Sequence, residues 1–165
     1  MAQERAPVVY ERLYESTDEK AQLEELRVLT WNVAGWNLDA ADIGDDVLQP
    51  RGASTGVPFL IVPLRSLAAL RRVRLNTALW EKHIADTWAP HVYMIARTME
   101  EGYDVHARMF APAMNITEDP ATGAGACALA ACLAAAATAD GSWSWRIVQG
   151  VEMGRRSELY VRAEK

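Results

Sequence analysis

Hydrophobic positions along this chain fall into short apolar runs set off by turn residues, plus one long alanine-rich run with no polar side. Phe59-Leu60-Ile61-Val62 follows Gly56-Val57-Pro58. A continuous apolar run bounded by Gly and Pro predicts a buried strand. Ser66 stands at an N-cap position ahead of residues 67–72, which predicts a short helix. A second helix is predicted over about residues 76–88, and the apolar run 92–96 predicts the next strand. Val105, Ala107 and Met109 alternate with His106 and Arg108 ahead of Phe110, the period of two that a strand requires. Residues 143–149 alternate in the same way, and 158–163 predict one more strand. Upstream the pattern is mixed. Val8-Val9-Tyr10 fits a short strand, and residues 18–29 have helical spacing through Leu23, Leu26 and Leu29. Residues 27–33 fit a strand equally well, and residues 39–46 are acidic and turn-rich.

Residues 123–138 carry no charge and are mostly Ala, a strong helix former. A helix apolar on every side has to be enclosed, and its small residues let other backbones approach closely. The order of strands, two helices, strands, enclosed helix and strands therefore predicts an α/β (α+β) lobe. In it, a mixed sheet wraps a buried Ala-rich helix. Half of the 165 residues are hydrophobic and 24% are charged, enough apolar material for one core. The formal net charge of -5 argues against a phosphate-backbone binder, so no nucleic-acid partner is expected. Cys127 and Cys132 lie five apart on the predicted helix and face different ways, so no disulfide is expected between them. Unpaired, buried thiols fit a reducing cytoplasm. The longest apolar stretch, 124–139, is too short to span a membrane, and the N-terminus has no apolar secretory core. A cytoplasmic location and no membrane partner are the expectation.

Candidate chemistry concentrates in Glu118-Asp119-Pro120-Ala121-Thr122-Gly123-Ala124-Gly125-Ala126. Pro120 biases Asp119 toward an extended conformation, and Gly123 and Gly125 permit close approach of a ligand. The first turn of the following helix offers free N–H groups, a carboxylate or anion site that needs no basic side chain. A carboxylate beside such a site can act as acid, base or orienter. The bland reading of the same stretch is a cap and a turn.

Residues 118–123, with 53–64, 104–112 and 149–155, resemble the signatures of the PhzF-like phenazine-biosynthesis isomerases, in the family's order. The resemblance covers residues 46–165, leaving 1–45 as a poorly matched N-terminal segment. It implies a single diaminopimelate epimerase-like lobe, the C-terminal one of two, in which a mixed barrel-like sheet wraps around the buried Ala-rich helix, with the active site between lobes. It further implies a cofactor-free proton shift on a small carboxylate-bearing metabolite, with no metal. By the same resemblance Asp119 is the catalytic candidate. Thr122, Gly123, Ala124 and Gly125 form the substrate-binding helix start, and Ser54, Thr55 and Gly56 lie near the same cleft. Ala124 stands where the family commonly has Ser. Thr122 stands near where diaminopimelate epimerases carry a catalytic Cys, so Cys-based racemisation is not expected, and Cys127 reads as core. The family's catalytic Glu belongs to the N-terminal lobe. A partner is therefore expected, either a complementary N-terminal lobe or a second copy in a homodimer. The contrasting reading is a non-catalytic binding or dimerising module.

Residues 27–36 resemble the opening strand of endonuclease/exonuclease/phosphatase enzymes, but nothing downstream supplies the expected metal ligands. His83, His91 and His106 are too scattered for a metal cluster, and Arg71, Arg72 and Arg74 read as a solvated helix face. Trp143 and Trp145 share one side of a strand, where they can cover an edge or a subunit contact.

Overall fold

The computed structural model describes residues 36–98 and 100–165. The strand candidates at residues 8–10 and 27–33 and the helical stretch at 18–29 lie outside them. β1 (Arg51–Ser54) and β2 (Pro58–Leu64) form an antiparallel hairpin, and α1 (Leu67–Arg72) and α2 (Thr77–His83) come next. The chain returns through β3 (His91–Arg97), parallel to β2. β4 (Val105–Ala111) runs antiparallel to β3, and β5 (Ile116–Asp119) turns back along β4. After α3 (Gly123–Ala136), β6 (Ser142–Gln149) pairs parallel to β4 and β7 (Ser157–Glu164) antiparallel to β6. The result is one mixed seven-stranded sheet among the described residues, ordered β1-β2-β3-β4-β6-β7 with β5 off β4, curled into a half-barrel.

Strand alternation divides the interior. Leu60, Val62 and Leu64 of β2, Val92, Met94 and Ala96 of β3, and Phe110 of β4 pack on the outer face under α1 and α2. Phe59, Ile61, Tyr93, Ile95, Val105, Ala107 and Met109 point the other way, onto Ala126, Ala128, Leu129, Cys132 and Leu133 of α3. The third side of α3 is closed by Ala163, with Trp143 and Trp145 half-buried against Ala130 and Ala134. The alanine run is thus enclosed, as an all-apolar helix requires. Trp36 joins the outer-face core edge-to-face with Phe110 at 5.2 Å.

Three elements differ from the pattern reading. The second helix stops at His83, because the turn after it bonds back on itself. The amides of Ile84 and Ala85 both donate to the Trp80 carbonyl, and Thr87 Oγ1 donates to the Ile84 carbonyl. Trp80 Nε1 then fixes the exit by donating to the Pro90 carbonyl at 2.9 Å. The other two, β1 and β5, were not apparent as strands.

One edge of β4 is shared. β6 runs along its first half and ends with Gln149 opposite Ala107. β5 comes down its second half from the opposite direction and ends with Asp119 opposite Met109. The C-terminal ends of two strands therefore meet at residue 108. The two strand ends face one another along one edge of β4 and are bridged there by the Gln149 side chain, which bonds to Asp119 and Thr122.

Candidate active site at the start of the enclosed helix

Arg108 sits at the junction and points to the outer face. Its guanidinium donates through Nε and Nη2 to both carboxylate oxygens of Glu118, at 2.7 and 2.8 Å. Nη1 donates to the Leu70 and Val73 carbonyls at 3.0 and 2.9 Å, closing the C-terminal end of α1. Burying such a charge is costly unless it is paired and fully bonded, and this fork is both. Because Glu118 is pinned outward, strand alternation turns Asp119 toward α3.

There Asp119 meets a polar cluster in an otherwise apolar layer. Thr122 Oγ1 donates to Asp119 Oδ2 at 2.6 Å. Gln149 Nε2 donates to the Asp119 carbonyl at 2.6 Å and to Thr122 Oγ1 at 2.9 Å. Gln149 Oε1 accepts from the Thr122 amide at 3.3 Å and from the Tyr93 hydroxyl at 3.1 Å. Tyr93 and Gln149 are fully buried, so these bonds are made in a low-dielectric setting where leaving any of them unmade is expensive. Burial, then the charge of Asp119, then Cys127, push the Tyr93 hydroxyl above its ordinary pKa, so it stays a donor.

Thr122 is the N-cap of α3, yet its side chain makes no cap bond to the helix, since its hydroxyl is committed to Asp119. The first-turn amides are left to something else, and the dipole of a 14-residue helix ends there. Gly123 is exposed, and a Cβ on it would meet nothing within 4 Å. Ala124 is half-buried. Gly125 has a different job. A Cβ there would stand 2.7 Å from the Tyr93 ring, so this glycine is needed for packing. Gly150 turns the chain at the end of β6 with φ of +77°, and a Cβ on it would strike the Arg155 carbonyl at 2.4 Å and Pro120 at 2.9 Å. The 149–155 turn therefore seats directly on the 118–123 turn.

The structure thus brings together Asp119, Thr122, Gly123, Ala124 and Gly125. Ser54, Thr55 and Gly56 form the β1–β2 turn, where the Gly56 amide donates to Ser54 Oγ at 3.2 Å, and no hydrogen bond among the described residues ties that turn to Asp119. Tyr93 and Gln149 were missed as site residues. Gln149 carries two signals, a polar residue continuing the row of Trp143, Trp145 and Ile147 and a place at the head of the 149–155 motif segment, whereas Tyr93 in its apolar run carries none. Cys132 is buried, whereas Cys127 is only half-buried and not fully in the core. His106 and His91 are buried, with Nε2 and Nδ1 respectively unpartnered, and no three His, Cys, Asp or Glu side chains cluster for a metal among the described residues.

A family model described as phenazine biosynthesis-like protein (PhzC-PhzF) matches residues 6–165. The chain belongs to this family. The match to the phenazine biosynthesis-like family reaches well upstream of the four motif segments. Among curated relatives, the chain is 33% identical over 138 residues to a trans-2,3-dihydro-3-hydroxyanthranilate isomerase of Pseudomonas chlororaphis, covering 82% of this chain and 47% of the relative. It is 38% identical over 112 residues to an uncharacterized isomerase of Mesorhizobium japonicum, covering 64% and 37%. The chain thus spans less than half the length of these relatives. Among solved structures, a phenazine biosynthesis protein of the PhzF family from Bacillus anthracis superposes with a TM-score of 0.72 at 23% identity, over 82% of this chain and 46% of that one. A predicted epimerase from Pseudomonas aeruginosa gives 0.63 at 24% identity, over 93% and 55%. At those identities the superpositions speak for the fold, a lobe of the kind the resemblance implied.

Proposed function

We propose that this chain supplies one lobe of a cofactor-independent isomerase or epimerase that shifts a proton between carbons of a small carboxylate-bearing metabolite. The observation that carries the reading is the Asp119–Thr122–Gln149 cluster beside helix amides that no side chain caps. In this reading the substrate carboxylate lies on the first turn of α3, bonded to N–H groups and favoured by the helix dipole. Asp119, fixed by Thr122, exchanges or orients a proton at the neighbouring carbon, and a glutamate from a complementary N-terminal lobe handles the other position. One proton leaves one carbon and one is returned to another, so the substrate gains and loses no atoms. Family membership, and curated relatives named as isomerases, support this reading. The turn at Ser54, Thr55 and Gly56 is assigned to the cleft on resemblance alone. A cytoplasmic setting fits the reading, and among the described residues no helix is long and apolar enough to cross a membrane.

The test is a solvent-deuterium screen of small carboxylic acids, read by mass spectrometry, on protein purified from its source with whatever chain accompanies it. The expected result is deuterium on carbon for at least one acid, reduced roughly a hundredfold or more in Asp119→Asn with the unfolding midpoint within a small shift. Equal incorporation by the variant overturns the role of Asp119. No incorporation by an assembly that contains both lobes overturns the isomerase reading and leaves a binding or dimerising module.

A further inference from the structure

The orientation of the Gln149 amide is forced. One end of it meets the Thr122 backbone N–H, which can only donate, and the other meets the Asp119 carbonyl, which can only accept. Oε1 and Nε2 therefore cannot be exchanged without breaking both bonds. With Nε2 so placed, its second proton goes to Thr122 Oγ1. A hydroxyl has one proton. Thr122 receives from Gln149, so its own proton has one acceptor within reach, Asp119 Oδ2. At the far end, Oε1 accepts only, so Tyr93 donates. The four side chains form a chain with a single direction, anchored by two backbone groups.

We infer that Gln149 is a positioning residue that commits the Thr122 hydroxyl proton to Asp119 Oδ2, leaving Oδ1 as the one carboxylate oxygen that faces a ligand. Among the described residues Oδ1 has no hydrogen-bond partner, and Asp119 as a whole is half-buried. An unconstrained carboxylate flips and presents either oxygen. This one keeps one oxygen position bonded to Thr122 and the other open, since a half-turn about Cβ–Cγ only exchanges two equivalent oxygens and restores the same bond. The reacting oxygen is thereby selected by a fully buried amide that touches no ligand. The inference rests on the proposed acid/base use of Asp119 for its consequence, though not for its geometry.

The test uses infrared spectra of the ligand-free chain with its Asp carboxyls labelled with 13C, the Asp119 carboxylate band being isolated by subtracting the Asp119→Asn spectrum. Thr122→Val and Gln149→Met should move that band alike, the double variant no further than either single one, and Thr122→Ser should restore the original position. Gln149→Met at the wild-type band position overturns the inference, as does a band that moves additively. Should Gln149→Met fail to fold, the unmodified chain still decides by proton NMR. Both Gln149 amide protons must resolve separately and resist exchange with solvent, and a fast-exchanging pair overturns the chain of bonds. The two claims separate cleanly. A shifted band together with undiminished deuterium incorporation in Asp119→Asn keeps the hydrogen-bond chain and discards the acid/base role. An unshifted band with lost incorporation does the reverse.

Discussion

Replacing Gln149 with Leu keeps nearly the same volume and removes every polar atom, so its cost isolates the hydrogen bonds. Three groups lose their partner: the Tyr93 hydroxyl, the Thr122 amide and the Asp119 carbonyl. Thr122 Oγ1 still has Asp119 as an available acceptor and so is not left unpaired, but no incoming amide proton then commits its own proton there. A buried polar group left unpaired costs about 1–3 kcal/mol. Tyr93 is fully buried and incurs the most, whereas Asp119 is half-buried and water can reach it. The sum is about 3–5 kcal/mol, a large part of the roughly 5–15 kcal/mol that holds such a domain together. Tyr93→Phe alone should cost only about 1 kcal/mol, because Gln149 Oε1 retains the Thr122 amide. In the double variant the orphaned hydroxyl is gone, so it should be more stable than Gln149→Leu by about 1–2 kcal/mol. Urea unfolding at constant m reads all four corners of the cycle. A Gln149→Leu cost below about 1 kcal/mol, or effects of the two substitutions that simply add, would refute the reasoning.

The same geometry sets two other outcomes. Gly123→Ala should leave stability within about 0.5 kcal/mol, since nothing stands within 4 Å, while Gly125→Ala should cost about 1–3 kcal/mol against the Tyr93 ring; chemical denaturation of both variants compares them, and equal values would refute the packing role of Gly125. For Cys132, burial raises the thiol from 9.0 to about 11 in the folded chain. The unfolded chain therefore loses that proton first, and stability should fall as pH rises through about 9 and level off above about 11, by roughly 3 kcal/mol. Unfolding midpoints across that range check it, and a slope unchanged in Cys132→Ala would contradict it.

Much of the scaffold was legible because it obeys a period. The alternation in β2, β3, β4 and β6 and the unbroken alanine run of α3 arise from burial on one or both sides. β1 and β5 were not legible. Arg51-Gly52-Ala53-Ser54 has little intrinsic strand preference, and its place is supplied by pairing with β2 and by the Trp88 ring lying over Gly52, where a Cβ would come within 2.2 Å. Ile116-Thr117-Glu118-Asp119 is mostly polar, and the Arg108 fork on Glu118 helps hold it to β4. In the site, Asp119 and Thr122 could be read from a local turn. Tyr93 and Gln149 could not, since the two side chains meet across 56 residues and each sits in a strand whose neighbours are apolar.

The shared edge of β4 has a consequence for how such a lobe can change. β6 cannot be lengthened past Gln149 without colliding with β5, so the chain must leave the sheet there, through Gly150. Residues 151–154 then form a turn anchored at its two ends by the Met153 and Arg155 amides on the Gly150 carbonyl. Residues inserted between Val151 and Gly154 lie outside every strand pairing, so they leave the registers of β6 and β7 unchanged. On the proposed function, selectivity can be regrafted at this loop while the sheet stays fixed, and directed libraries confined to those positions, sparing Glu152 beside Arg108, would sample new substrates.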